Sequence, residues 1–499
     1  MLKVHNTLGN KLEEFKPVTE GKVRMYVCGV TVYDTVHVGH ARCYVNFDTI
    51  RRYLEFLGYE VTFVQNFTDI DDKIINRAHS EGRDWKELTR IYEAEYFRLM
   101  DCLGIRRATR YPRATEHIAQ MIDMTKALIE KGHAYVTDGG DVYFDVSTFE
   151  DYGSLINRER LENEGVCRVA HGEKRNKADF ALWKAAKPDE PHWSSPWGEG
   201  RPGWHIECSA MSREYLGDTF DIHGGGQDLV FPHHTNEIAQ SECCTCQTMA
   251  RYWIHNGFIQ ISGEKMSKSL DNFVTLEDAI EEHGSGAMRM FFLLKHYRSP
   301  LNFDVEQVQE ARAALGRFED AIGDAQTVLE HVGDREEELT KSGRKLRGAL
   351  DSLDDDFRAA MNEDFNTPSA LAVLYEFAQK LFGYVRGCAA ANAKGVSSGL
   401  LSDSVNALSK YLGVFGFAPT ERDYDAEKLA EELKSTGHSL TGGDALEAAL
   451  KLRDALRADK RYDEADEVRN IIEKSCGISV KDWPFGSRAP RMQFEASQK

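Results

Sequence analysis

Apolar residues near the start of the chain follow first a strand pattern and then a helical one. The segment VRMYVCGVTV, residues 23–32, is almost continuously apolar and β-branched, which predicts a strand buried on both faces. The next segment carries apolar residues at helical spacing as far as Leu57, and Gly58 is placed to end that helix. YEVTFVQNF then returns to a strand pattern. Strand, helix and strand joined by short turns form a βαβ unit, so the pattern predicts a parallel sheet of the α/β class.

The pattern changes several times further along the chain. Residues 88–131 have helical spacing, and GHAYVTDGGDVYFDV predicts a hairpin with a Gly-Gly turn. KPDEPHWSSPWGEGRPGW, rich in Pro, Gly and Trp, predicts a structured loop, and TFDIHGGGQDLVF predicts a strand that enters a glycine-rich turn. Long amphipathic helices are predicted from about residue 305 to 414, and the last fifty or so residues again read as helical.

Length and composition narrow the class of protein. A chain of 499 residues is too long for one core and predicts two to four domains. The net charge of −19 excludes a globally basic surface, although a local basic patch can still bind a polyanion. The sequence has neither an apolar stretch long enough to cross a membrane nor the pattern of a signal peptide. Together with ten scattered cysteines, this predicts a cytoplasmic protein without membrane contact, and a monomer is the default expectation.

The segment TVYDTVHVGHAR places two histidines at the predicted strand-to-helix turn. Backbone amides at a helix N-terminus attract anions, and Gly39 lets a phosphate or base approach the backbone closely. The imidazoles of His37 and His40 can donate hydrogen bonds to phosphate oxygens as negative charge builds up. The turn is therefore a candidate ATP site in which His37, Gly39 and His40 bind the nucleotide, and both histidines are candidate catalytic residues.

A second candidate for phosphate binding is the segment GEKMSKSLDNF. Lys265 and Lys268 stand three residues apart on a predicted loop that can close over a triphosphate. A pair of lysines at this spacing usually belongs to a solvated basic loop. The HVGH segment upstream argues against that interpretation here. The chain has no Walker A pattern, so the sequence gives no support to a P-loop ATPase.

HVGH and KMSKS resemble the paired signatures of class I aminoacyl-tRNA synthetases. The blocks MYVCGVTVYD, NFTDIDDKII, GRPGWHIECSAM, FDIHGGGQDLVFPHHTNEIAQSE and MNEDFNTPSAL resemble cysteinyl-tRNA synthetases in particular. The resemblance runs from the N-terminus to about Tyr411 and weakly to the end of the chain. Two positions depart from the family pattern: Thr235 stands where an acidic residue is expected, and Asp271 replaces a usual glycine after KMSKS.

The resemblance implies a fold and a division into domains. It implies a Rossmann-like parallel-sheet catalytic domain, residues 1–112 and 203–245, with an inserted connective domain at 113–202. A stem-contact region that carries the KMSKS loop would occupy residues 246–304. An α-helical bundle, residues 305–416, and a small C-terminal anticodon-side domain, residues 417–499, would bind the tRNA.

A metal site follows partly from spacing and partly from the resemblance. His233 and Glu237 are i and i+4, so a helix that starts near Pro232 would place both on one face. The resemblance implies that Cys28, Cys208, His233 and Glu237 hold one Zn²⁺, and it favours His233 over its local competitor His234. The neighbouring cysteines 243, 244 and 246 are interpreted as helix and core.

The resemblance also implies the reaction. ATP, with Mg²⁺, would activate L-cysteine to cysteinyl-adenylate, and the acyl group would pass to the 3′ end of tRNA(Cys). Zinc would select the thiolate over serine, so no separate editing domain is expected. His37, His40, Lys265 and Lys268 would act on the phosphates. The amino-acid pocket would include five further residues: Gly29, Thr31, Thr68, Trp204 and Asp228.

The C-terminal segment RADKRYDEADEVR offers a candidate contact for tRNA. Arg457, Lys460 and Arg461 stand beside Tyr462, and a basic run next to an aromatic residue could stack an unpaired base. A solvated helix surface is the ordinary interpretation of the same charges.

Four other functions remain compatible with parts of the sequence. A ligase that joins cysteine to an amino-sugar acceptor would share the zinc site and both signatures, but it should lack the long helical C-terminal part. A nucleotidylyltransferase would share HxGH without needing the zinc ligands. A non-catalytic RNA-binding relative would not need His37, His40, Lys265 and Lys268 intact, and a zinc hydrolase would have no obvious position for water.

Overall fold

The computed structural model describes residues 1–156, 174–261, 264–265, 273–391, 393–421, 426–438, 440, 444–476, 480–483, 486–488 and 492–496. The chain forms two compact units. The first consists of Met1–Val308 and Ala360–Pro368, and the second contains Gln309–Ala359 and most of the chain from Ser369 onward. None of the described helices is long and apolar enough to cross a membrane.

The first unit is built on a four-stranded parallel sheet. Its strands are β3 (Lys22–Val27), β4 (Glu60–Gln65), β10 (Phe220–Gly226) and β11 (Ala250–Asn256), in the order β11-β10-β3-β4. All three pairings are parallel, which confirms the α/β prediction. Two further sheets flank it: the β1–β2 hairpin (Lys3–Asn6 and Lys11–Glu14) and the sheet of β12 (Ile259–Ile261), β13 (Glu264–Lys265) and β14 (Leu301–Phe303).

Helix α1 (Val38–Phe56) joins β3 to β4 and packs on the sheet. It ends as the sequence predicted, because Gly58, with φ +95°, lets the chain reverse directly after the C-cap Leu57. The glycine run of β10 has a packing reason as well. A Cβ on Gly224 would lie 2.2 Å from Cε1 of Phe47, so only glycine lets α1 approach this strand.

The helical pattern of residues 88–131 is interrupted, which the sequence analysis did not predict. The structure has α2 (Asp72–Glu81), α3 (Trp85–Cys102) and α4 (Ile118–Glu130), with an extended segment between α3 and α4. That segment runs along the free edge of β4, where the amide of Gln65 donates to the carbonyl of Arg110 at 3.1 Å and that of Phe67 donates to Pro112 at 2.9 Å. Edge pairing with a distant strand outweighs the local helical spacing there.

The insertion after α4 contains a five-stranded antiparallel sheet in the order β5-β6-β7-β9-β8. Strands β5 (Ala134–Val136) and β6 (Val142–Phe144) form the predicted hairpin. The prediction of a loop in the Pro- and Trp-rich segment is wrong, because β8 (Trp193–Ser195) and β9 (Gly198–Pro202) form a second hairpin that pairs with β7 (Phe180–Ala185). Gly200 makes this pairing possible, since a Cβ there would lie 2.3 Å from Nε1 of Trp183.

Four helices complete the first unit: α5 (Trp204–Leu216), α6 (Thr235–Thr245), α7 (Leu276–His283) and α8 (Ser285–Leu293). The helix that was predicted to start near Pro232 starts at Thr235 instead. Residues 230–234 form a π-helical turn in which Phe231 departs from helical geometry, with φ −137° and ψ 132°. Cys243 and Cys244 are buried at the end of α6 as predicted, whereas Cys246 is exposed.

Long helices follow from residue 305, as predicted: α9 (Val305–Val332), α10 (Lys341–Met361), α11 (Thr367–Ala390) and α12 (Ser398–Val414). The second unit ends in a small helical cluster of α13 (Ala426–Ser435), α14 (Ala445–Ala458) and α15 (Tyr462–Cys476), which share one apolar core. The helical prediction for the last residues is wrong beyond α15. Strand β16 (Lys481–Trp483) forms a local hairpin with β17 (Gly486–Arg488), whereas β18 (Met492–Ala496) pairs with β15 (Phe417–Glu421), which is distant in sequence.

Candidate active site

A cavity of about 350 Å³ lies where β3 ends and α1 begins. This is the edge of a parallel sheet at which ligands bind in open α/β folds. Eight of the residues singled out in the sequence line it: Cys28, Gly29, Thr31, His37, Gly39, His40, Trp204 and Asp228. The structure therefore brings together residues from β3, α1, α5 and the turn after β10, although they are far apart along the chain.

His37 and His40 lock the first turn of α1. His37 is the N-cap, and its Nδ1 accepts a hydrogen bond from the amide of His40 at 3.2 Å, while the amide of His37 donates to Nδ1 of His40 at 3.4 Å. The two rings stack with centroids 3.6 Å apart. Burial lowers the pKa of His37 to about 4 and holds that of His40 well below its ordinary value. Both imidazoles are therefore neutral near pH 7, and since each Nδ1 accepts, each Nε2 carries the proton and can donate.

The predicted metal ligands converge around Cys28, which lines this cavity. The Sγ atom of Cys28 lies 3.6 Å from Sγ of Cys208 and 3.5 Å from Oε1 of Glu237. Nε2 of His233 lies 3.1 Å from the same Oε1 atom. The four ligand atoms lie within 4.8 Å of one another, and all four residues are buried.

A second, overlapping group of ligands is present in the described part of the chain. It consists of Cys28, His223, His234 and Glu237, again within 4.8 Å. Nε2 of His234 lies 3.3 Å from Sγ of Cys28, and Nε2 of His223 lies 2.8 Å from Oε2 of Glu237. The geometry thus leaves both His233 and His234 available as the histidine ligand.

The surroundings of the two histidines differ. Trp204 stacks on His233 with ring centroids 4.2 Å apart, so this imidazole lies behind an indole that lines the cavity. His234 points instead into a buried chain of hydrogen bonds, in which its Nδ1 lies 2.7 Å from Nε2 of His255 and Nδ1 of His255 lies 2.8 Å from Oγ1 of Thr7. The sequence analysis did not single out His223 or His255, because a histidine inside an apolar strand looks like an ordinary core residue.

The chemistry of this group fits a zinc ion. Burial raises the pKa of the Cys28 thiol, and the neighbouring Cys208 and Glu237 raise it further. Several acidic groups enclosed together repel one another when ionised, and a divalent cation removes that repulsion. Two thiolates, an imidazole and a carboxylate form a donor set that suits Zn²⁺.

Gly29 brings two backbone segments into contact at the cavity. A Cβ on Gly29 would lie 1.6 Å from the carbonyl oxygen of Asn66, and its amide donates to Oδ1 of Asn66 at 2.9 Å. Thr31 lies in a bridge with Thr68 and lines the cavity, but Thr68 itself does not. The buried hydroxyl of Thr68 donates to Oε2 of Glu207 at 2.8 Å, so the structure places it behind the cavity wall.

Of the two lysines proposed to bind phosphate, the structure describes only Lys265. Lys265 lies on β13, where it pairs with Gln260. Lys268 and Asp271 lie outside the described residues, so a phosphate-binding role for the KMSKS segment stays a prediction.

The C-terminal candidates lie where α14 gives way to α15. Arg457 belongs to the last turn of α14, Lys460 has φ +59° in the turn, and Tyr462 is 54% exposed at the start of α15. Arg461 is paired with Glu464, with Nε 2.7 Å from Oε1. The exposed ring is available to stack, and the tRNA contact stays a prediction.

Comparison with known proteins identifies the family. The model of the class I (C) tRNA synthetase catalytic domain matches residues 14–313, more than half of the chain, and that of the DALR domain matches residues 356–418. A cysteine–tRNA ligase of Carboxydothermus hydrogenoformans is 47% identical over 98% of this chain and 100% of its own length. The chain belongs to the cysteine–tRNA ligase family. Another member, from Thermococcus onnurineus, is 44% identical over 97% of this chain and 98% of its own length.

Solved structures of other class I synthetases support the fold of this cysteine–tRNA ligase family member. Methionyl-tRNA synthetase of Mycobacterium tuberculosis, in complex with methionyl-adenylate, has a TM-score of 0.58 at 17% identity, over 79% of this chain and 89% of its own. A leucyl-tRNA synthetase complex of Agrobacterium radiobacter has a TM-score of 0.59 at 12% identity, over 81% of this chain and 84% of its own. The class I fold expected from the sequence is thereby confirmed.

Proposed function

We propose that this protein uses ATP to activate L-cysteine and transfers the cysteinyl group to the 3′ end of tRNA(Cys). The observation that carries the proposal is the meeting of two sites in one place. Cys28, which belongs to the thiol, imidazole and carboxylate group, lines the same cavity as the stacked pair His37 and His40. One end recognises a thiol and the other a phosphate, as cysteinyl-adenylate requires.

In the first step, a carboxylate oxygen of cysteine attacks the α-phosphorus of ATP, and pyrophosphate leaves. This reaction needs alignment and charge stabilisation more than proton transfer. The Nε2–H groups of His37 and His40 would donate to phosphate oxygens, with the amides of the first turn of α1 beside them. Lys265 and Lys268 would hold the β- and γ-phosphates, and Mg²⁺ would enter with ATP.

The substrate side chain would be selected at the buried end of the cavity. Cys28, Cys208, Glu237 and one of His233 and His234 would hold Zn²⁺. When bound, the zinc supplies a Lewis acid that accepts a thiolate and discriminates against the protonated hydroxyl of serine. Trp204, stacked on His233, would cover the ligand from solvent, while Gly29, Thr31 and Asp228 would bind the polar groups of the amino acid. Thr68 would support Thr31 from behind the wall.

In the second step, a hydroxyl of the terminal ribose of tRNA attacks the carbonyl carbon of cysteinyl-adenylate, and AMP leaves. The matched DALR region and the exposed turn with Lys460, Arg461 and Tyr462 would bind the tRNA. The division into a catalytic domain with an insertion, a stem-contact region, a helical bundle and a small C-terminal domain is part of this proposal, as are a monomeric state and a cytoplasmic location.

The test is to charge total tRNA with labelled cysteine and, in parallel, with labelled serine. We expect charging with cysteine alone, together with cysteine-dependent exchange of pyrophosphate into ATP. Exchange without any charging of tRNA would contradict the proposal and point to a ligase that joins cysteine to a small acceptor. Equal charging with serine would contradict the role of the thiol-binding group.

A further inference from the structure

A second cavity, of about 630 Å³, lies in the first unit and shares no lining residue with the candidate active site. Its walls are one face of α3, residues 113–116, Asp69 and β8. Helix α3 separates the two cavities, because Tyr92 lines the first and Glu93 lines the second. A single helix therefore stands between the two cavities.

Three aromatic side chains line this second cavity. Trp85 is the first residue of α3, Phe97 lies three turns further along the helix, and Trp193 comes from β8. All three are half-buried. Both indoles pack on the core on one side and remain accessible on the other. A large cavity with accessible indoles is typical of sites that stack nucleotide bases.

The acidic groups of this cavity are all held by neighbouring residues. Asp69 accepts from the amide of Thr115 at 2.9 Å and from its hydroxyl at 2.5 Å. Arg113 binds Glu93, with Nε 2.9 Å from Oε2, and its Nη1 lies 3.4 Å from Oε1 of Glu116. One guanidinium therefore contacts two of the three carboxylates of the wall, and the third is hydrogen-bonded by a neutral threonine.

Two cations remain available in the same cavity. Lys86 and Arg90 are exposed, and no carboxylate among the described residues pairs with either of them. Nζ of Lys86 lies 5.4 Å from the ring centroid of Trp85, so a positive charge lies next to a stacking surface. Indoles next to unpaired cations match a base that is attached to a phosphate.

We propose that this cavity binds an unpaired nucleotide just before the 3′ end of the tRNA. Its base would stack on Trp193 or Trp85, and its phosphate would pair with Arg90 and Lys86. The inference rests on the proposed function, because the terminal ribose must reach the first cavity during transfer. The nucleotides before it would then pass around α3 and enter the second cavity.

The test compares binding of intact tRNA(Cys) with binding of the same tRNA lacking its last three nucleotides, at one fixed salt concentration. We expect the wild-type dissociation constant to rise about tenfold on truncation. In Arg90→Gln and in Trp193→Leu this factor should fall to about threefold or less. Two matched controls should keep the tenfold factor: Arg98→Gln, on the same helix outside the cavity, and Trp197→Leu, in the same hairpin outside the cavity.

Cysteine-dependent pyrophosphate exchange separates the two proposals, because it does not require tRNA. All variants should retain it. Suppose that the wild type exchanges pyrophosphate and charges tRNA, while truncation of the tRNA still weakens binding about tenfold in Arg90→Gln and Trp193→Leu. That result would overturn this inference alone. Absence of exchange in the wild type would overturn the proposed function. Quenching of Trp193-dependent fluorescence by ATP but not by tRNA would reassign the cavity to a free nucleotide.

Discussion

At the scale of single residues, the site depends on thiol, imidazole and carboxylate side chains. Thiols at 28 and 208, imidazoles at 233 and 234, and the carboxylate of Glu237 lie together although they come from separate parts of the chain. The resemblance to a family predicted four of these residues. The resemblance also favoured His233 over His234, whereas the folded chain leaves both available, because the π-helical turn at residues 230–234 brings each ring next to the other candidate ligands.

The metal group gives a prediction about zinc content. Cys208→Ser should reduce bound zinc to about a tenth of the wild-type amount or less, because a hydroxyl is a poor ligand and the remaining donors hold zinc weakly. Cys243→Ser is the matched control, since Cys243 is buried but belongs to neither candidate group. Metal analysis of the purified proteins measures both, and full zinc occupancy in Cys208→Ser would contradict the assignment.

The same assay decides between the two histidines. Of His233→Asn and His234→Asn, we expect the first to lose zinc and the second to retain it, because Nε2 of His233 lies 3.1 Å from Oε1 of Glu237, whereas Nε2 of His234 lies 4.0 Å from the same atom. Both side chains are fully enclosed, so the two substitutions are matched in burial. The reverse result would place the metal in the group that contains His223.

A prediction about stability concerns Gly29. Gly29→Ala should lower the free energy of unfolding by at least about 2 kcal/mol, because the new Cβ would overlap the carbonyl oxygen of Asn66. Gly348→Ala is the control: no heavy atom lies within 4 Å of its Cβ position in α10, so it should stabilise the protein by up to about 1 kcal/mol. Urea unfolding of the two variants beside the wild type tests the contrast.

At the scale of elements, the first turn of α1 combines a stabilising capping arrangement with the proposed phosphate site. The reciprocal hydrogen bonds of His37 and His40 satisfy amides that a helix start otherwise leaves free. The same bonds fix the tautomer that leaves each Nε2–H free to donate. The sequence predicted the helix and its phosphate-binding end, whereas the capping box became visible only when both rings had coordinates.

The buried histidine of this turn makes stability depend on pH. Because burial lowers the pKa of His37 to about 4, the unfolded chain binds a proton between pH 6.5 and 4 that the folded chain does not. His37 therefore contributes stability above pH 6.5 that is lost as the pH falls. Titration of His37 changes the free energy of unfolding by at most about 1.4 kcal/mol per pH unit.

We expect His37→Asn to lose stability less steeply than the wild type between pH 6.5 and 4, since asparagine keeps a side-chain acceptor at the N-cap. Urea unfolding at several pH values, followed by tryptophan fluorescence, measures the slope. Six of the seven tryptophans lie in the first unit, so the signal reports mainly on the unit that contains α1. Identical slopes would contradict the prediction.

At the scale of the whole molecule, activation and tRNA binding should be separable. The candidate active site belongs to the first unit, and the turn between α14 and α15 belongs to the second. Cysteine activation needs only the first set of residues, whereas charging would need both. The net charge of −19 means that any contact with RNA must come from local cationic groups.

The C-terminal turn provides the corresponding prediction. Replacing Lys460, Arg461 and Tyr462 together by alanine should raise the KM for tRNA about fivefold, because two cations and one stacking surface are lost. Pyrophosphate exchange should not change. Lys451→Ala is the control, since Lys451 lies within helix α14, outside the turn of residues 460–462. An unchanged KM in the triple variant would mean that the turn does not bind tRNA.

The sequence by itself determined the α/β class, the βαβ unit around HVGH, the long C-terminal helices and most of the chemical groups of the site. The elements follow from local periodicity and from turn residues such as Gly58. His37 and His40 stand in one short motif, and the resemblance to a family implied the metal ligands Cys28 and Cys208. The tertiary structure alone decided the extended segment on the edge of β4, the pairing of β9 with β7 and the pairing of β18 with β15, because each depends on hydrogen bonds to a strand that is not the adjacent one in sequence. It also decided that His223 and His255 face the metal group and that Trp85 and Trp193 line one cavity, since only the packing of the whole chain brings such residues together.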